Sequence, residues 1–166
     1  KYHCGNYVPR NKDKVIKLNA EGGLYYRSSW EKKIMFWLDN NEQVTKWGAE
    51  CLNIPYQLKN FENGDAKVKK HTYYVDFFYE MRTSDGVLKQ VVVEVKPKKE
   101  YNMVIALNEG KLSVPEKGTK KLKNFEYDLK MAYKNKNKWE TMINWCNKKG
   151  YEFIIITEQH LKKFNL

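Results

Sequence analysis

The stretch VVVEVKPKK, residues 91–99, decides how this chain is read. Its run of valines predicts a buried strand, because a β-branched side chain packs well on a pleated surface. Yet the run carries Glu94 and Lys96 near its end. Side chains two apart on a strand share a face, so Glu94 and Lys96 point together, opposite Val91, Val93 and Val95. Two charges on such a strand need a reason.

The sequence just upstream supplies a partner. TYYVDFFYEM reads as a strand, TSDG as a turn and VLKQVVVEVK as the returning strand, together a β-hairpin. On the first strand Val75, Phe77 and Tyr79 share one face while Tyr74, Asp76 and Phe78 share the other. Asp76 is thereby set in apolar surroundings, where an unpaired carboxylate costs several kcal/mol or takes up a proton. If the register puts Asp76 beside Glu94, the two carboxylates repel unless a cation lies between them, and a divalent metal resolves the conflict. One or two carboxylates, with the remaining positions left to water and phosphate, is how Mg²⁺ is usually held at phosphate chemistry. Lys96 would then orient or deprotonate the attacking water, or neutralise charge developing on the phosphorus. A plainer account also fits: Asp76 bonded to backbone at a strand end, and Glu94 with Lys96 an exposed ion pair of little energetic weight.

Working outward, YRSSWEKKIMFWLDNN predicts a helix from about Ser29 to Asn40, with Trp30, Ile34, Trp37 and Leu38 at helical spacing and Ser28 or Ser29 as its cap. Glu31 fits a capping box with Ser28. It also borders the stripe of Ile34, Met35 and Leu38, so a structural and a functional role stand level. The segment 50–57 contains Pro55 and predicts an edge strand. NFENGDAKVKK follows as a polar loop, and the lysine-rich residues 97–119 as an exposed connection. From Lys120 onward, Leu122, Phe125, Leu129 and Ala132, then Trp139, Met142, Ile143 and Cys146, mark helical faces with a break expected in the KNKNK tract. Gly150 suits a C-terminal cap. YEFIIIT predicts a further strand and EQHLKKF a short closing helix. Residues 1–25 read as an arm or irregular lead-in, and residues 26–166 as a single α/β domain with a mixed sheet.

At 166 residues the chain can bury about 70% of the surface its unfolded form exposes. Cys4, Cys51 and Cys146 stand far apart, so neither a disulfide framework nor a zinc site is expected, and reducing, intracellular conditions fit best. No apolar run is long enough for a membrane span or secretory signal. The formal charge of +11 and pI near 9.4 come mostly from lysine, a compact point charge suited to phosphates. Nucleic acid is the leading partner, a solubilising lysine coat the alternative. His71, ahead of the Asp76 strand, is a candidate contact for phosphate or for the outer shell of a metal, although a lone loop histidine is more often incidental. Eight lysines against Glu126 and Asp128 between Lys117 and Lys138 make either a phosphate-tracking or a solvated helix face.

Together, Glu31 on a helix, Asp76 on one strand and Glu94 with Lys96 on the next resemble the PD-(D/E)xK nuclease superfamily. More closely, YRSSWEKKIMFWLD, IPY (residues 54–56), YYVDFFYE, VVVEVKPKK and NKNKWETMINWCNKKGYEFIIITE are similar to the head-completion nucleases of large tailed phages, from about Tyr26 to Leu161. Val75 stands where the superfamily favours proline. The resemblance implies a restriction-endonuclease-like core, a mixed β-sheet flanked by helices. It also implies an Mg²⁺-dependent DNA endonuclease, with Mn²⁺ able to substitute, that processes packaged DNA before neck and tail attachment. Glu31, Asp76 and Glu94 would be metal ligands and Lys96 the catalytic lysine. His71, Lys98, Lys99 and Lys138 would contact double-stranded DNA, portal or neck proteins would be partners, and the virion or host cytoplasm the location. The rival readings are a transposition- or repair-type nuclease on the same core, and a non-catalytic DNA-binding plug of the virion.

Overall fold

The TSDG turn and its flanking runs form the centre of the computed structural model, which describes residues 3–62 and 65–163. In chain order the elements are β1 (Gly5–Tyr7), β2 (Leu24–Tyr26), α1 (Ser29–Asn40), β3 (Val44–Ala49), β4 (Asn53–Glu62), β5 (Asp65–Tyr74), β6 (Phe77–Arg82), β7 (Leu88–Val95), α2 (Lys98–Glu109), α3 (Lys120–Lys149), β8 (Glu152–Ile156) and α4 (Glu158–Lys163). A 3₁₀ turn occupies Lys12–Lys14. The central sheet has the order β3-β6-β7-β8. Its first two pairings are antiparallel and β7 runs parallel to β8, so the sheet is mixed. Gly86, at φ 80°, closes the β6–β7 hairpin, and a β-carbon there would meet nothing within 4 Å, so backbone strain is what favours glycine.

Both faces of the sheet are covered, which explains the unbroken valine run of β7. Val91 and Val93 face α1 and pack with Ile34, Met35, Leu38, Trp47, Phe77 and Tyr79. Val92 faces the other way, with Phe78, Val75, Met142 and Cys146. Each such side chain, fully buried, stabilises the fold by about 1.5–3 kcal/mol. Helix α1 begins where the sequence predicts, because the Ser28 hydroxyl accepts from the Glu31 amide at 3.1 Å. Among the described residues no helix is long and apolar enough to cross a membrane, and the three cysteines are free.

Four expectations are corrected. The residues 97–119 are not a bare connection: Lys98–Glu109 form α2, which ends on the left-handed Gly110 and lays Tyr101 against Trp139, ring centroids 6.1 Å apart. Helix α3 does not break at KNKNK. Its buried positions Ala132, Asn135, Trp139, Met142 and Cys146 recur at intervals of three and four, and the buried amide of Asn135 donates to Glu100 of α2 at 3.2 Å. The strand expected over 50–57 forms as β4 but starts later, at Asn53, because Glu50 sits in the left-handed region at φ 48° where the chain turns between β3 and β4. The polar tract NFENGDAKVKK belongs to a two-stranded ribbon, β4–β5, whose register runs from Asn53↔Tyr74 to Glu62↔Asp65. Asn63 and Gly64 of that tract lie outside the described residues, as do Lys1, Tyr2 and Phe164 of the expected arm and closing helix.

The residues 1–25 carry structure of their own. β1 and β2 pair antiparallel, and Tyr7, Leu24 and Tyr26 pack on the α1 side of the core. The segment is anchored to Asp39 near the end of α1. That carboxylate accepts from the Tyr7 hydroxyl (2.8 Å) and from the amides of Arg10 (2.8 Å) and Asn11 (2.9 Å).

Candidate active site

The site forms where one continuous run of sequence changes partners. β5 belongs to the ribbon and ends at Tyr74, while β6 belongs to the central sheet and starts at Phe77. Asp76 occupies the bend, its carbonyl accepting from the Glu50 amide at 3.0 Å. The expected single strand TYYVDFFYEM is therefore two, and the bend frees Asp76 from a regular ladder. Phe77 pairs with Val93, so the next position brings Asp76 opposite Glu94. The register that the sequence left conditional is the one that forms.

Glu94 is 2% exposed, a charge-bearing side chain inside the core. Its Oε2 accepts from the Tyr73 hydroxyl at 2.6 Å, and its Oε1 lies 3.4 Å from Lys96 Nζ. Asp76 Oδ2 accepts from the Val95 amide at 2.6 Å. Burial pushes the Asp76 carboxyl up to about 7, helped by the negative charge of Glu94 and opposed by the Val95 amide and Lys96. Burial works against a charged Lys96, but Glu94, Asp76 and Glu100 override it and hold the amine above its ordinary value. Tyr73 is pushed well up by burial and by the adjacent Glu94, so it stays a hydrogen-bond donor.

Lys138 enters from α3. Its ammonium lies 4.2 Å over the centre of the Tyr73 ring, a cation–π contact. Burial lowers its pKa, and the positive Lys96 adds to that while Glu94 and Asp76 pull the other way, which places Lys138 within the field of the acidic pair. The structure thus gathers Asp76, Glu94, Lys96 and Lys138 in one place.

Glu31 lies beside this group. It shares a narrow cleft with Asp76, Arg27 and Glu50, and its charge helps raise the Asp76 pKa. Its own Oε2 accepts from the Arg27 amide at 2.6 Å, so the capping role is realised one residue earlier than the usual box. Among the described residues no three His, Cys, Asp or Glu side chains are gathered closely enough to form a metal cluster. Asp76 and Glu94 are the pair that could share a divalent cation, with Glu31 nearby.

The other DNA-contact candidates are spread out. His71 is on the exposed part of β5 with its ring stacked on Tyr56, centroids 5.4 Å apart. Lys98 starts α2, its amide bonded to Glu158 at 2.8 Å. The ammonium of Lys99 pairs with Asp128 at 2.8 Å. Three participants were not picked out from sequence. Tyr73 looks like any core aromatic, and its only signal is that a buried hydroxyl needs a partner. Arg27 and Glu50, an ion pair at the mouth of the Glu31 cleft, come together from distant segments.

Acid pair, adjacent lysine and second cation from a helix make a set able to hold a metal ion against a phosphodiester and to oppose the charge of its transition state. Two similarities bear on this. The family described as TnsA-like endonuclease, N terminal, matches residues 41–158, a span that contains Asp76, Glu94, Lys96 and Lys138 and begins after Glu31. The chain is also 31% identical over 161 residues to the head completion nuclease of Enterobacteria phage T4, covering 96% of this chain and 94% of that relative.

Proposed function

This chain belongs to the TnsA-like endonuclease family, and from that premise we propose that it is a metal-dependent DNA endonuclease of phage head completion. Endonuclease activity and a restriction-endonuclease-like core come with the family. The phage setting rests on the similarity to a head completion nuclease along nearly the whole length of both proteins. In this reading the enzyme works in the assembling virion or the host cytoplasm around it. It processes the end of packaged DNA before neck and tail attachment, against the portal or neck proteins.

The observation that carries the chemistry is the pairing of Asp76 with Glu94. Two carboxylates face each other across a hairpin, burial and the mutual repulsion push that of Asp76 up to about 7, and Lys96 lies beside the pair at 3.4 Å from Glu94. That donor set suits Mg²⁺, or Mn²⁺ in its place, held by Asp76 and Glu94 with water and phosphate oxygens completing the shell. Bound there, the ion would polarise the phosphoryl group and make water acidic enough to attack at neutral pH. The Tyr73 hydroxyl fixes one oxygen of Glu94, and the Val95 amide fixes one oxygen of Asp76, so both carboxylates present their remaining oxygen in a set direction. Lys96, alongside Glu94, supplies an ammonium to a non-bridging phosphate oxygen and to the attacking water. Lys138 adds positive charge on the α3 side of the phosphate.

The test is supercoiled plasmid incubated with Mg²⁺, Mn²⁺ or EDTA, with wild type beside Asp76→Asn. Metal-dependent nicking or linearisation that disappears in the variant supports the assignment. A folded wild type that shifts DNA in a gel yet never cuts it sinks the catalytic reading in favour of a virion plug. For the phage role, particles made with Asp76→Asn should hold full-length DNA and fail to join tails; normal maturation removes that role even if plasmid is cut.

A further inference from the structure

The ribbon β4–β5 reaches further than the core requires. Its base is apolar, with Ile54, Tyr56 and Tyr73 buried against Met142 and Cys146 of α3. Beyond that base every residue from Lys67 to Thr72 is exposed, on both faces of the strand. Two strands without a third, or a helix across them, gain little stability in water, so the outer half is not explained by folding. Its composition is KVKKHT, residues 67–72, in which Val68 alone is strongly apolar and is 50% exposed.

Parity along β5 shows which side matters. Residues two apart share a face, so Tyr73, which bonds Glu94, shares its face with His71, Lys69 and Lys67. Lys138 stands over that same Tyr73 ring. Moving outward from Glu94 and Lys96, the order is Lys138, His71, Lys69, Lys67, with successive ribbon residues on that face roughly 6–7 Å apart. From Tyr73 to Lys67 the ribbon advances about 20 Å. A DNA strand rises about 3.4 Å per nucleotide, so this face spans about six base pairs. Lys70 lies on the opposite face.

We propose that the Lys67–Lys69–His71 face of the ribbon is a backbone track for the duplex on one side of the cleaved bond, continuous with the acidic site through Tyr73 and Lys138. This rests on the endonuclease reading for its ligand. The track gives the enzyme purchase on phosphates without base-edge recognition, as point-like ammonium groups do. It also sets a length: a flank shorter than about six base pairs leaves the outer lysines without phosphate.

The experiment measures binding of a 30-base-pair duplex to the full chain in EDTA across a salt series, for wild type, Lys67→Gln/Lys69→Gln, the matching Lys67→Arg/Lys69→Arg, and Lys70→Gln. Loss of two phosphate contacts should reduce the slope of log K against log salt by about two and weaken binding on the order of 10²-fold at 0.1 M salt. The arginine pair should restore both, and Lys70→Gln should change the slope by less than one. An unchanged slope in the double glutamine variant overturns the track and points instead to a ribbon that docks on a protein. A Lys70→Gln effect as large as the double variant's overturns the choice of face. Plasmid cleavage by wild type is scored separately, so failure of the nuclease reading shows there and leaves the binding comparison to judge the ribbon alone.

Discussion

Two aspartates in this protein are held in opposite condition. Asp39, near the end of α1, is fully buried and ringed by donors: the Tyr7 hydroxyl, the Arg10 and Asn11 amides and the Asn11 side chain. Burial alone would raise its pKa, but those donors outweigh it and hold the carboxyl below the ordinary range. Asp76 receives one amide and faces another carboxylate, and it is pushed up to about 7. The chain has satisfied the first aspartate with its own groups and left the second short of positive charge. The first closes the N-terminal segment onto the domain, and the second is the carboxylate to which the proposed function gives a metal.

That contrast is broken most directly by exchanging activity for stability. Asp76→Asn should lower plasmid cleavage by about 10³-fold, the several kcal/mol that a positioned metal supplies to the transition state, at tenfold per 1.36 kcal/mol. Its melting temperature should stay level or rise, because a costly buried charge has gone. Cleavage lost together with a collapsed fold in this variant would give Asp76 a role in folding instead. Asp39→Ala should do the reverse. Removing the acceptor orphans several buried donors, costing about 3 kcal/mol and lowering the melting temperature by roughly 6–12 °C, while cleavage persists below that temperature.

The same pair can be sharpened by acid. The folded pKa of Asp39 lies below its unfolded value, so its contribution is complete above about pH 4 and fades as pH falls through the folded value. The melting gap between wild type and Asp39→Asn should therefore be widest near neutrality and close on acidification; a constant gap removes the carboxylate from the account. Smaller again is Tyr73→Phe, which takes the fixed donor from Glu94 without changing shape. We expect cleavage about tenfold slower and stability lower by about 1 kcal/mol, with the loss in kcat exceeding that in KM. Smallest is Lys99→Ala, where a solvent-screened pair with Asp128 is lost and the melting temperature should stay where it is.

Elements whose burial is one-sided or complete were legible in the sequence. Helix α1 announces itself through Ser28 and the spacing of Ile34, Met35 and Leu38, and the β6–β7 hairpin through TSDG and three valines. Elements held by something other than an apolar stripe were not. Helix α2 buries only Val104 fully, so its lysine flanks dominate the pattern. The KNKNK tract hides an asparagine whose partner, Glu100, comes from a segment read as loop. Residues 67–72 of β5 are exposed on both faces and so lack any alternation to see. At the site, Asp76, Glu94 and Lys96 stand out because charge on a valine-rich hairpin is anomalous. Tyr73 does not, since nothing separates a tyrosine that holds a glutamate from one that merely fills space. Glu31 was visible as both a cap and a candidate ligand, and the structure shows the cap bond directly with the acidic pair close by.

The parallel pairing of β7 with β8 bears on when this enzyme comes into being. Val95 lies against Ile156, and the Lys96 amide donates to the Ile156 carbonyl at 2.9 Å. All of α2 and α3 intervenes between those two strands, so the contact closes a long loop and forms late relative to local helices and hairpins. On the ribosome, the strand bearing Glu94 is made well before the strand that clasps its far edge. The hairpin and first helix are complete in the nascent chain before residues 152–156 exist, and the hydrogen bond that fixes the Lys96 backbone forms once those residues have been synthesised and docked.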